Sequence, residues 1–367
     1  MPHTVQDVIL AMNAIAPPAL ALEGDPIGLH SGTLSKRVRR ITLSLDASLW
    51  AVESAVKNKA DMLVVHHPRF YRGVATLADG DATGRRATAI ARSGLAVFSA
   101  HTNLDLAEGG TNDVFAAATG LVNPEIVKVE KRERLMKLAV FVPETHVGTV
   151  LEAVCGAGAG HIGNYSDCTF RSRGTGTFRG GENTKPFIGK PGGREEADEF
   201  RLETVFGEYS SKRVLDAMRE AHPYEEVAYD LYALEGEARR YGLGRVGDLP
   251  KGENLLALTR RLSRIFHSGM AQYHGRAGRK VSRVAVWAGG GVDVGAVTGC
   301  GAEVLVAGEL GYHDLETLAD SGMGVITLGH GHSEEMVLKP LSGRLGKMLP
   351  GCRIDIAKTG LISMRNA

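Results

Sequence analysis

Apolar residues along this chain fall into two alternating rhythms. Val5 to Ile15 carries them at helical spacing and stops before Pro17 and Pro18, which predicts a surface helix. From Ile41 to Thr119, short β-branched runs (ITLSLD, MLVVHH, LAVFSAH) alternate with helical patterns over about Leu49–Lys57, near Arg86–Ser93 and from about Asn112. That alternation predicts βαβ units and a parallel sheet. The same grammar returns after residue 250, where the helical stretch ENLLALTRRLSRIF precedes RVAVWAG, EVLVAGE and GVITLGH, each followed by a helical pattern. Two α/β halves are expected.

Between about Lys131 and Glu235 the rhythm changes. LMKLAVFVP, a helix from Glu144 to Cys155, CTFRSRGTGTF, RLETVFGEY, a helix from Ser211 to Ala221, and VAYDLYAL follow in turn. This β-α-β-β-α-β order is that of a ferredoxin-like unit. The expected organisation is therefore one α/β domain made of residues 1–130 and 237–367, interrupted by an inserted α+β domain over 131–236. The stretch Gly180 to Glu199 is rich in Gly, Pro and charge, and a long mobile loop is expected there. No short-period repeat or low-complexity tract is present.

Composition narrows the partners rather than the fold. The 367 residues correspond to two or three domains by length. Lys plus Arg is 43 and Asp plus Glu is 42, a net charge of +1, so bulk charge draws the protein neither to nucleic acid nor to an anionic membrane. Glycine stands out at 47 residues, nearly twice the usual share of ~7%. Cys155, Cys168, Cys300 and Cys352 lie far apart with no CxxC pair, which argues against a thiolate zinc site or a disulfide scaffold. A reducing compartment fits, no apolar stretch has the length of a membrane span, and a cytoplasmic location is expected.

The candidate chemistry sits where the apolar runs end. LVVHHP delivers His66 and His67, VFSAHTNLD delivers His101 and Asp105, VITLGHGHSEE delivers His330, His332 and Glu334, and VLVAGELGYHD adds Glu309 and His313. In open α/β sheets ligands bind at the carboxyl ends of strands, so residues distant in sequence converge there. Imidazoles with carboxylates are the donor set for zinc, iron, manganese or nickel rather than calcium or magnesium. His330 and Glu334 are four apart and share one face if a helix starts at once. His66, His67, Asp105, His330 and Glu334 make five ligands, enough for two divalent ions with open positions. His332 is expected to point away, and His101 and His313 are candidates for orienting ligands or moving a proton. The turn Gly289, Gly290 and Gly291 could present backbone N–H groups to a phosphate, although close strand-to-helix packing explains three glycines as well. His222, Tyr224, Glu225 and Glu226 in the insert read better as a turn than as a ligand site.

These motifs carry a resemblance. LVVHHP, SAHTNLD, the run WAGGGVD…VAGELGYHD and GHGHSE resemble, in order, the motifs of the NGG-interacting-factor-like family, known in bacteria as GTP cyclohydrolase I type 2 homologues. The resemblance implies a dinuclear metal centre on the same five residues. AHPYEEVAYDLY and its surroundings resemble the PII/CutA-like insert of longer members. Homo-oligomers, ring-like hexamers built from trimers, are implied as well. Two departures are visible: Gly331 and His332 stand where the family commonly has an aromatic after the first His, and Tyr312 replaces the first of a frequent His pair.

Two functions follow as expectations. One is a metal-dependent hydrolase acting on a nucleotide or another phosphate-bearing small molecule. The other is a metal- or metabolite-sensing regulator whose insert binds a partner or gates the site.

Overall fold

The chain opens with β1 (His3–Thr4), and Thr4 doubles as the cap of the first helix. Its hydroxyl accepts from the Asp7 N–H while the Asp7 carboxylate accepts from the Thr4 N–H, so α1 (Val5–Ile15) begins where the apolar spacing begins. Next come β2 (Gly28–Ser31), β3 (Arg37–Val38), which pairs with β1, and β4 (Arg40–Ser44). Then α2 (Leu49–Lys57), β5 (Met62–Val65), α3 (Ala82–Ser93) and β6 (Ala96–Ser99) follow, and α4 (Thr102–Leu106) and α5 (Thr111–Thr119) complete this part. In the computed structural model residues 2–68, 73–78 and 80–357 are described.

β4, β5 and β6 are parallel and in register, Ile41 opposite Met62 and Met62 opposite Ala96. Both faces of β5 and β6 are buried, and for that reason they read as unbroken apolar runs. α2 and α3 cover one face through Val52, Ala55 and Ile90, packed on Leu63, Val65 and Val97.

β7 (Val122–Pro143) then leads into the insert, followed by α6 (Val147–Gly156), β8 (Thr169–Phe178), β9 (Glu195–Gly207), α7 (Ser211–Ala221) and β10 (Tyr229–Asn254). By contact, Lys131–Arg240 forms one unit, and Met1–Glu130 with Tyr241–Ala367 forms the other. The insert's strands lie in the order β10-β7-β9-β8, the ferredoxin-like arrangement, with β9 antiparallel to both neighbours. Its own core gathers Leu138, Val140, Val154, Leu202, Val214 and Met218. Here the expected loop is shorter than the composition implied. β9 starts at Glu195, with Ala197 buried and the Glu199 carboxylate accepting from the Tyr224 hydroxyl, so only 179–194 are irregular. The strand ladder with β8 recruits the charged residues that a polar tract hides.

The last part runs α8 (Leu255–Ile265), β11 (Gln272–His274), β12 (Lys280–Trp287), α9 (Val294–Gly299), β13 (Val304–Ala307), α10 (Tyr312–Asp320), β14 (Gly324–Thr327), α11 (His330–Glu334), α12 (Leu338–Met348) and β15 (Arg353–Ile356). β12, β13 and β14 are parallel, with β11 antiparallel on the outer side of β14. α5 and α8 seal one face of this sheet, where Phe115 meets Phe266 edge-on, and Leu318 of α10 packs with Trp287 and Leu305 on the other. The two halves thus build two sheets rather than one. β15 crosses over, pairing in parallel with β4 so that the first sheet reads β15-β4-β5-β6-β2. No helix among the described residues is long and apolar enough to cross a membrane.

Candidate metal centre

Most of the cluster stands one to three residues past a parallel strand. Asp46 follows β4, His66 and His67 follow β5, and His101 follows β6. From the second sheet, Gly289 follows β12, Glu309 follows β13 and His330 follows β14. The carboxyl ends of both sheets therefore deliver polar groups to one place, the position at which α/β sheets bind ligands. Gly329 adopts φ +94°, and the chain then turns at once into α11, a single turn that lays His330 and Glu334 on one face with 3.3 Å between Nε2 and Oε1.

The imidazoles share one design. His66 Nδ1 donates to the Ala100 carbonyl at 2.9 Å, His67 Nδ1 to Asp46 at 3.1 Å, His101 Nδ1 to Asp25 at 3.0 Å and His330 Nδ1 to Glu309 at 2.9 Å. With Nδ1 engaged in each, the Nε2 atoms of His66, His67 and His330 are turned to the cluster, the arrangement of metal-binding histidines with outer partners. His67 Nε2 lies 3.3 Å from His330 Nε2 and 3.0 Å from Glu334 Oε2. His66 Nε2 lies 3.5 Å from Asp105 and 3.8 Å from Glu334, and Asp105 also accepts from the Thr111 hydroxyl. Two sets of donors, His66 with His67 and His101, and His67 with His330 and Glu334, each have all their ligand atoms within 4.8 Å of one another and are able to hold a metal ion.

Electrostatics point the same way. His66 Nε2 and Glu334 Oε2 are buried without an aligned hydrogen-bond partner, an expensive state for polar atoms unless something else binds them. Burial works against charge on His67, yet the carboxylates of Asp46 and Glu334 outweigh it and raise its pKa to about 10. Glu334, with burial opposing, raises His330 to about 9. His66 is also raised, because Asp105 and Glu334 outweigh its burial. Burial pushes the Asp105 carboxyl up, whereas Glu334, despite its burial, is held well below the usual carboxylate range by three imidazoles. The carboxylates thus favour positive charge, held as protons, on these imidazoles. A divalent ion at the imidazole nitrogens would replace those protons, so the residues present fit a transition metal.

The remaining candidates are placed as follows. His101 lies beside His66 and His67, with ring centroids 5.2 and 5.6 Å away, and so stands in the cluster itself. His313 does not reach it: its side chain is 91% exposed on α10 and lies 3.4 Å from Glu316. The glycine turn is occupied by close approach. A Cβ on Gly289 would fall 2.2 Å from Glu334 Oε1, and one on Gly290 would fall 2.9 Å from Glu309 Oε1. The Gly289 N–H donates to Ser333 Oγ at 2.8 Å. A turn that faces two carboxylates is a poor phosphate cradle; packing explains Gly289 and Gly290, and a left-handed φ of +67° explains Gly291. In the insert, His222 Nε2 donates to the Phe141 carbonyl and its Nδ1 accepts from the Tyr224 N–H, a turn stabilised from within. Sequence reasoning passed over Asp46, although ITLSLD ends in an ionisable residue as the other strands do. It also passed over Asp25, which stands in a loop with no pattern to mark it.

A cavity of about 1080 Å³ opens beside the cluster, and Asp46, His67, Glu309 and His330 form its inner side. Met270, Tyr273, Leu310 and Val325 supply apolar wall, and Gln272 and Thr327 supply polar groups.

Comparison with known proteins places this architecture. The model of the DUF34/NIF3 (NGG1p interacting factor 3) family matches residues 3–362. A protein of Halalkalibacterium halodurans named GTP cyclohydrolase 1 type 2 homolog is 38% identical over 351 residues, covering 95% of this chain and 94% of that protein. The Bacillus subtilis protein of the same name is 36% identical over 344 residues, covering 94% and 92%. Among solved structures, a Bacillus cereus protein related to NIF3 superposes with a TM-score of 0.86 at 33% identity, covering both chains completely. The Staphylococcus aureus protein SA1388, at 22% identity and a TM-score of 0.70, shares the fold. The chain belongs to the DUF34/NIF3 family.

Proposed function

We propose that this protein is a dinuclear metal-dependent hydrolase of a small molecule, with His66, His67, Asp105, His330 and Glu334 as ligands of two divalent transition-metal ions such as zinc, iron or manganese. One observation carries the reading: the imidazoles of His66, His67 and His330, each tied back through Nδ1, bring Nε2 within 3.5 Å of the Asp105 or Glu334 carboxylate beside a cavity. Two such ions would activate a water at neutral pH and polarise the attacked group. The chain's own residues do the rest. Asp46 and Glu309 keep His67 and His330 in the tautomer that presents Nε2. His101, oriented by Asp25, is placed to take up and return a proton at Nε2.

The name of the relatives speaks of GTP, but fold-level likeness does not transfer a substrate. The test is metal analysis of protein purified without chelator, together with a hydrolysis screen of His67→Ala and Glu334→Ala. Two equivalents of transition metal, and turnover lost in both variants, are expected. No metal after gentle purification, or turnover unchanged in both variants, overturns the reading. The insert's separate core favours a second reading, in which Lys131–Glu235 serves as a binding or regulatory module. Full activity in a folded variant lacking that segment would support it.

A further inference from the structure

The hydrolase reading leaves the substrate's chemical class open, and the charges around the cluster bear on it. Two divalent ions bring four positive charges. Asp105 and Glu334 lie within the cluster, and Asp46, Asp25 and Glu309 bind the backs of His67, His101 and His330. Two carboxylates face the ions and three more stand behind their imidazoles, so with neutral imidazoles the loaded centre and its outer partners together carry one negative charge in surplus. Two of the five, Asp46 and Glu309, border the cavity itself.

Polyphosphate sites are built the other way, from Arg or Lys forks, helix N-termini and free backbone N–H groups. Here the backbone turn nearest the cluster gives the Gly289 N–H to Ser333 and faces Glu334 and Glu309. Met270, Tyr273 and Val325 line the same cavity, with the Gln272 amide, the Thr327 hydroxyl and the imidazoles of His274 and His332 as hydrogen-bonding groups. Among the described residues lining the cavity, none is Lys or Arg. Such walls bury an organic body and orient it through a few neutral polar contacts.

We propose, resting on the metal reading above, that the cavity binds an uncharged or cationic organic molecule with a partly apolar body, and discriminates against nucleoside polyphosphates. The carboxylates of Asp46 and Glu309 in the cavity wall exclude polyanions by repulsion, a device that sets specificity without any attractive contact. The relatives' name, with its triphosphate, does not describe what this cavity is built to hold.

The experiment uses the full-length protein loaded with Zn²⁺ or Mn²⁺, its ion content checked by mass spectrometry. Binding is read by saturation-transfer NMR and calorimetry for GTP, guanosine, and a fragment set in which each neutral or cationic amide has a carboxylate and a phosphate analogue. Hits should concentrate among the neutral and cationic members, compete with one another, and weaken in Tyr273→Ala. GTP should bind at least about tenfold more weakly than the best neutral probe. Gln272→Lys, a change at an exposed position of the wall, should raise GTP affinity by about tenfold. GTP binding as tightly as any neutral probe overturns the proposal, as does a fragment set with no hits or a Gln272→Lys variant with unchanged GTP affinity. A loaded chain that hydrolyses nothing overturns the hydrolase reading alone, because turnover is not measured here. A chain that takes up no metal overturns both.

Discussion

Gly289→Ala is the most informative single change in the centre, because two physical costs act there and a neighbouring glycine separates them. Gly289 sits at φ +68°, a left-handed conformation that costs an L-residue about 1–2 kcal/mol. Its new Cβ would also stand 2.2 Å from Glu334 Oε1, 3.2 Å from Glu334 Cδ and 3.3 Å from His330 Nε2. The carboxylate has little room to retreat, with its side chain only 5% exposed and three imidazoles around it. Overpacking of that kind adds about 1–3 kcal/mol. Gly291 has φ +67° and nothing within 4 Å of its Cβ position, so Gly291→Ala meets the backbone cost alone. Urea unfolding of the metal-stripped proteins should place Gly291→Ala about 1–2 kcal/mol and Gly289→Ala about 2–5 kcal/mol below wild type. Zinc titration should then show affinity unchanged for Gly291→Ala and weakened about 10–100-fold for Gly289→Ala, through displacement of Glu334. Equal stability losses with wild-type zinc affinity in both variants would refute the placement of Glu334 against this turn.

The histidines make the metal-stripped protein depend on pH in a stated direction. Their pKa values are raised from 6.5 to about 10 for His67 and about 9 for His330, so their stabilisation is complete below about pH 6.5 and disappears as pH climbs through 9 to 10. Urea midpoints of the stripped protein should fall over that interval, and a flat or rising profile would contradict the cluster's geometry. Metal uptake at pH 7.5 should release protons, seen as a buffer-dependent heat in calorimetry. A thiol in the insert provides a separate test. Burial first, then the Asp167 carboxylate, push the Cys155 thiol up to about 11, so alkylation at pH 8 should reach Cys168, Cys300 and Cys352 well before Cys155. Peptide mapping that finds equal rates would show that the insert's core opens readily.

The parts of this fold visible in the sequence are those in which one physical cause acts alone. Strands buried on both faces have no choice but to be apolar throughout, so MLVV, AVFS and VLVA mark β5, β6 and β13 without help from any other segment. The residue after such a run must be polar once the chain leaves the core, and at a parallel sheet's carboxyl end that residue enters the site. Hence His66, His101, Glu309 and His330 can be named in advance, and Asp46 obeys the same rule. Edge strands have no such uniform environment. β15 (RIDI) is exposed at both ends and half-buried between them, and its apolar Ile356 is itself 39% exposed. Its pairing with β4, more than 300 residues earlier, is dictated by tertiary contact and leaves no mark on the local pattern. For the same reason two sheets and one sheet look alike from strand patterns alone.

The glycine turn shows where pattern stops and geometry begins. Three glycines after a strand are required wherever something must approach the backbone, whether that is a phosphate outside or a side chain within. Only the identity of the approaching group separates the two cases, and it comes from α11, more than 40 residues downstream. That group is a carboxylate, which reverses the sign of the charge the turn can tolerate nearby. The same three residues that make a phosphate-bearing substrate attractive in the sequence thus become, once Glu334 and Glu309 are in place, part of the case against one. Their conformational freedom serves the cluster of imidazoles and carboxylates, by letting the backbone come close enough for Ser333 to bind Gly289 and for Glu334 to lie between His66, His67 and His330.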